Sequence, residues 1–186
     1  SFGATFRIAF FSQMALPEPV LDCLRQLVAW TETEPAYTGC EILLLGGSED
    51  KVRRTAAQLR ESGTTATIQP IGYLPAVELS SYLWATDLAI SPVPVHALGK
   101  SGTVAAFLRH GLAVAAPVHM HPDPSFFAPE LNAAILTEFS PESIRIARAA
   151  ARNLNSDIIS VESIARQMRQ ALFPTSAHKL PKILSQ

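Results

Sequence analysis

The sequence predicts an α/β protein: a Rossmann-like parallel sheet of about six strands with helices on both faces. Three observations carry this. Short apolar runs alternate with longer stretches of helical spacing, as at Glu41-Ile-Leu-Leu-Leu45 followed by Glu49 to Glu61. The apolar runs are continuous rather than alternating, the pattern of strands covered on both faces. Strands separated by helices imply right-handed βαβ units, which build parallel sheets.

The elements follow in order. Phe6-Arg-Ile-Ala-Phe-Phe11 reads as a buried strand, and Pro17 opens a helix that places Val20, Leu21, Leu24, Leu27 and Val28 on one face. Glu41 to Leu45 is the second strand, ended by Gly46-Gly47. Ser48 can cap the helix Glu49 to Glu61, whose first turn carries Glu49 and Asp50 where the helix dipole favours them, and Gly63 closes it. Thr65 to Gln69 is a third strand running into Ile71-Gly72-Tyr73-Leu74, and a short helix from about Ala76 to Trp84 follows. Asp87 to Ser91 is a fourth strand. Pro92 and Pro94 predict an irregular loop up to Gly99, and Ser101 to His110 a helix with Val104, Phe107 and Leu108 on one face, ended by Gly111. Leu112 to Ala116 is a fifth strand, His119 to Pro129 a proline-rich loop, and Asn132 to Leu136 a sixth strand. Ser140-Pro141 starts the first of two amphipathic helices, about 143–153 and 161–172.

The 186 residues match one domain, expected over 1–173 with a tail at 174–186, and the opening Ser-Phe-Gly-Ala-Thr suggests a processing boundary with residues upstream. A formal net charge of -1 provides no field that would recruit nucleic acid or an anionic membrane over the whole surface. No apolar run reaches membrane-spanning length. The two cysteines, Cys23 and Cys40, are neither a disulfide framework nor a metal knuckle; two free thiols fit a reducing compartment, hence the cytoplasm, with the inner face of a membrane as an allowed place of work.

In an open parallel sheet, ligands bind beyond the carboxyl ends of the strands. Four segments lie there: Ser12-Gln13, Gly46-Gly47-Ser48, Gly72-Tyr73-Leu74, and the loop from Ser91 to Thr103. The richest chemistry is Gly99-Lys100-Ser101-Gly102-Thr103, where small residues open a helix, two hydroxyls add donors and Lys100 adds positive charge. Unpaired amides at such a start can face an anion, so the segment suits a phosphate or diphosphate. An ordinary capped helix with a solvated lysine is the competing reading. A Walker A loop is excluded, because Pro94 stands where its earlier glycine is required. An unrelated flavodoxin-like or Rossmann-like nucleotide binder is a third reading; the first βα turn lacks the G-x-G-x-x-G fingerprint, which argues against a dinucleotide protein.

From about Phe6 to Pro117 the order of features resembles the C-terminal domain of GT-B glycosyltransferases, especially the large retaining group that includes sucrose and glycogen synthases. Three stretches carry the likeness: Ile42-Leu-Leu-Leu-Gly-Gly47 before a charged helix; Ile71-Gly-Tyr-Leu74 with Glu78-Leu79, Tyr82, Ala85-Thr-Asp87 and Leu88-Ala-Ile-Ser-Pro92; and Ser101 to Val114 as helix, glycine and strand. The resemblance implies binding of a nucleotide-diphosphate sugar as substrate, with no cofactor and no metal. Gly72, Tyr73 and Leu74 would meet the nucleobase, and Gly99 to Thr103 the diphosphate. Ser12, Gln13, Gly46, Gly47 and His96 would complete the cleft. The acceptor would sit on an N-terminal domain of the same chain or a partner, and this half alone would not turn over.

The sequence also departs from that family. The retaining group carries two glutamates around this helix, and the corresponding positions hold Leu98 and Ala106. The basic pair that follows the family's first strand is absent from Ser12-Gln13-Met14-Ala15-Leu16, a loss Lys100 could offset. These departures motivate an alternative: a decayed GT-B domain kept as a binding or scaffold module.

Other polar residues read more plainly. His119-Met-His121 lacks the carboxylates or thiols of a metal shell apart from Asp123. His110 suits a helix C-terminus, Lys51, Arg53 and Arg54 a solvated face, and Trp30, Tyr82 and Trp84 core positions. No Gly-x-Ser-x-Gly and no acid/base carboxylate pair is present.

Overall fold

Strand β1 (Ala4–Phe11) forms the middle of a six-stranded, all-parallel sheet in the computed structural model, which describes residues 3–11, 16–119 and 129–155. The other strands are β2 (Tyr37–Leu45), β3 (Thr67–Gly72), β4 (Leu88–Ile90), β5 (Val114–Ala115) and β6 (Ile135–Leu136), in the spatial order β3-β2-β1-β4-β5-β6. The helices are α1 (Glu18–Thr33), α2 (Glu49–Glu61), α3 (Ala76–Trp84), α4 (Gly102–Arg109), α5 (Pro129–Asn132) and α6 (Pro141–Arg152). The chain moves outward one way from β1 to β3 and the other way from β4 to β6. Right-handed crossovers in opposite directions put helices on opposite faces of the sheet. All these elements belong to the unit Ser1–Leu154.

The continuous apolar runs are buried for the reason their composition suggests. Ile8, Ala9, Phe10, Ile42, Leu44, Leu45, Leu88, Ala89, Ile90, Val114 and Ala115 are all fully inaccessible, so these strands are covered on both sides. Each large side chain removed from water this way contributes roughly 1.5–3 kcal/mol. Edge strand β3 is half-exposed and carries Pro70, which an edge tolerates because it has no second ladder to serve. Ser48 and Ser140 cap α2 and α6; at Ser140 the cap is reciprocal, with Ser143 Oγ accepting from the Ser140 amide at 2.9 Å.

Two expectations change. The proline loop is regular in part: Val95–Lys100 is a 3₁₀ helix with Pro94 at its N-cap, a place where a missing amide costs nothing. Trp30 is core, but Tyr82 is 39% and Trp84 68% exposed, because α3 buries only Leu83. The helix expected at 161–172, the tail, His121 and Asp123 lie outside the described residues. No helix among the described residues is long and apolar enough to cross a membrane.

Both cysteines are buried and unpaired. Burial pushes the Cys23 thiol far above its ordinary value and the Cys40 thiol up to about 12. A raised pKa keeps the folded thiol neutral where the unfolded chain ionises. The resulting stability is whole below the ordinary value of 9.0 and is lost as pH rises from there toward about 12 for Cys40. A thiol reagent at pH 8 is therefore expected to label neither cysteine in the folded protein and both after denaturation. Rapid labelling of the folded chain would contradict this burial.

Candidate functional site

The crossover of strand order lies between β1 and β4. Connections leave these neighbours toward opposite faces, which opens a crevice beyond their carboxyl ends. Four pieces of chain meet there: Phe11 at the end of β1, Ser91 to Val93 after β4, the 3₁₀ helix, and the start of α4.

The loop after β4 is tightly held. The Ser91 amide donates to Ala115 O at 2.9 Å, the Val93 amide to Ser91 Oγ at 3.2 Å, and the Val95 amide to Val118 O at 3.0 Å. Leu98 is 1% exposed and pins the 3₁₀ helix to the core, and the Ser101 amide donates to its carbonyl at 3.0 Å. This burial explains the apolar residue at that position: a carboxylate there would be desolvated. Ser101 then turns the chain into α4 as N-cap, its Oγ accepting from the Val104 amide at 3.4 Å and lying 2.8 Å from Thr103 Oγ1. The amides of Gly102 and Thr103 stand in the first turn, where a helix offers no internal acceptor. A Cβ added at Gly102 would meet nothing within 4 Å among the described residues. Gly99 and Lys100 are exposed beside it, and no ion pair engages Lys100 among the described residues.

Beneath the helix start lies a cavity of about 50 Å³. Phe11, Pro92, Val93 and Phe107 supply apolar walls, and Ser91 and Thr103 supply hydroxyls. The two phenylalanine rings pack at 5.3 Å with a 52° tilt. By volume it holds roughly four waters, not a nucleoside.

The remaining predicted residues spread along the same edge. Gly46 and Gly47 form the turn after β2 with φ of 64° and 76°, and the Gly46 amide donates to Gly72 O at 2.7 Å. That bond occupies the Gly72 carbonyl, and φ of 79° there explains the glycine. Tyr73 is 80% exposed and Leu74 half-buried. The ends of β3 and β4 are three strand spacings apart, about 14 Å, so the Gly72 turn and the Gly99–Thr103 segment follow separate strands of one sheet edge. His96 is exposed on the 3₁₀ helix. Ser12 and Gln13 fall outside the described residues.

Ser91 opens the loop expected at this edge, whereas nothing in the sequence marks Phe11 or Phe107 as site residues. Ser91 is 1% exposed, and a serine ending an otherwise apolar buried strand was the available signal. Asp87, part of the resemblance, lies at the amino end of β4, opposite the crevice. Its Oδ2 accepts from the Arg7 amide at 3.0 Å and its Oδ1 from Arg148 at 2.5 Å, which is a structural role. His110 ends α4, with Nδ1 2.7 Å from Ala106 O and Nε2 2.8 Å from Ser80 Oγ.

Losing the Ser101 hydroxyl removes one cap. Ser101→Ala is expected to cost about 1 kcal/mol, read as a shift in the urea midpoint; no shift would mean the cap is not formed in solution. No known family's sequence profile matches the chain, and no curated protein is significantly similar to it.

Proposed function

We propose that this domain binds the diphosphate of a nucleotide-sugar donor at the crossover crevice, as the donor half of a metal-independent glycosyltransferase whose acceptor is held by another domain. One observation carries the reading: a helix start whose Gly102 and Thr103 amides meet no acceptor among the described residues, beside the exposed Lys100 and the mutually bonded Ser101 and Thr103 hydroxyls, stands at the point where the strand order reverses. The helix dipole and Lys100 both favour negative charge there, and in sugar transfer the same groups would offset charge on the departing diphosphate. The order of motifs along Phe6 to Pro117 supports the same reading. The Gly46-Gly47 turn lies beside the crevice, and the exposed Tyr73 is on the same edge for the nucleobase.

A second reading is favoured by Leu98. A fully buried leucine occupies the place where the resembling family has a glutamate, and Ala106 offers nothing to a ribose. On that basis the domain retains the fold as a scaffold without catalysis.

Calorimetric titration with UDP, GDP and ADP separates the two. Donor binding predicts heat from one of them, with affinity lowered about tenfold by Lys100→Ala, the equivalent of roughly 1.4 kcal/mol. No heat from any nucleotide supports the scaffold. Binding that ignores Lys100 removes the assigned role of its charge.

A further inference from the structure

The cavity under the α4 start has a chemistry of its own, and its interpretation rests on the donor-binding reading. Its walls are two phenylalanines, a proline and a valine, and no basic side chain lines it. A phosphate placed inside would lose its water to aromatic and aliphatic carbon. A helix start returns only a small part of that desolvation cost. The diphosphate therefore belongs above, by Lys100 and the open amides, and the cavity is left for a neutral group.

The same walls specify that group. Ser91 is 1% exposed; its Oγ accepts the Val93 amide, and its own hydrogen meets no acceptor among the described residues. A buried hydroxyl donor in such surroundings calls for an acceptor. The Phe11 and Phe107 rings call for carbon. A volume of about 50 Å³ admits a group of roughly four heavy atoms. We infer that the cavity receives a neutral acyl substituent of the donor sugar, an acetamido group or one of like size. Its carbonyl oxygen accepts from Ser91 Oγ, and its methyl packs against Phe11 and Phe107. The preferred donors are then N-acylated amino sugars rather than plain hexoses.

The test compares N-acetylglucosamine 1-phosphate with glucose 1-phosphate by amide-resolved NMR titration, with a nucleoside diphosphate as control. The acetylated sugar is expected to bind about tenfold more tightly, from one buried methyl and one hydrogen bond. Val93→Phe fills the cavity from a half-buried loop position and should bring the acetylated sugar down to the affinity that glucose 1-phosphate has for the same variant. Ser91→Ala keeps the volume and should reduce the preference to about threefold, which guards against a misfolded filling variant. Equal binding of the two sugar phosphates overturns the acyl assignment and leaves the donor site standing. So does nucleoside diphosphate binding without either sugar phosphate. No binding of any of the three overturns the donor site and the acyl assignment together.

Discussion

Asp87→Ala is expected to cost about 3 kcal/mol of folding stability, more than its position at a strand end suggests. Asp87 holds two elements from far apart in sequence. One carboxylate oxygen accepts from the Arg7 amide and the other from the Arg148 guanidinium. Arg148 also donates to Tyr37 Oη at 2.6 Å and lies 5.1 Å over the Phe6 ring, with its side chain 15% exposed. Its Nε already finds no acceptor among the described residues. Removing Asp87 leaves a largely buried cation without its counter-charge, and breaking a buried pair this way costs about 3–5 kcal/mol. The low end applies because Asp87 keeps 23% of its side-chain exposure. Arg148→Met leaves carbon over Phe6 and releases the buried charge, so the double variant should lose clearly less than the sum of the singles. Urea unfolding of the four proteins measures this. Additive losses would mean that the pair carries no coupling.

Phe107→Ala is expected to cost about 4 kcal/mol, within the usual range for removing a fully buried phenylalanine. Phe107 is 1% exposed, packs on Phe11 across the crossover, and walls the cavity under the α4 start. The substitution joins a new void to an existing cavity. The surroundings can close only partly, because β1 and β4 are fixed by pairing on both sides. A denaturation midpoint shifted with an unchanged slope is the expected signature. A loss under about 1 kcal/mol would show that the two rings are not packed in solution.

The fold was readable to different depths along the chain. Helix α2 was bounded correctly because both signals are local: Ser48 caps it and Gly63 leaves it with φ of 75°. Strands β1, β2 and β4 were readable because strands buried on both faces are continuously apolar. β5 and β6 came out shorter than their apolar runs, two paired residues each, since pairing depends on a neighbour rather than on composition. The 3₁₀ helix after Pro94 escaped because two prolines resemble a plain loop, although one can start a helix. Tyr82 and Trp84 read as core in the sequence yet are exposed, because helical spacing does not reveal which face finds a partner.

The candidate site divides the same way. The α4 start was legible from Gly99-Lys-Ser-Gly-Thr103, since capping and anion chemistry are encoded within five residues. The cavity was not, because Phe11, Ser91 and Phe107 meet only through the strand order. Arg148 meets Asp87 across 61 positions, a contact that no local pattern encodes.

The central assignment concerns the Gly102 and Thr103 amides, and an amide-resolved NMR titration with UDP, GDP and ADP tests it most directly. For at least one of these nucleotides, saturable shifts should centre on Gly102 and Thr103, extend to Lys100 and weaken in Lys100→Ala. Shifts confined to other parts of the sheet edge, or none with any nucleotide, would contradict an anion site at the α4 start.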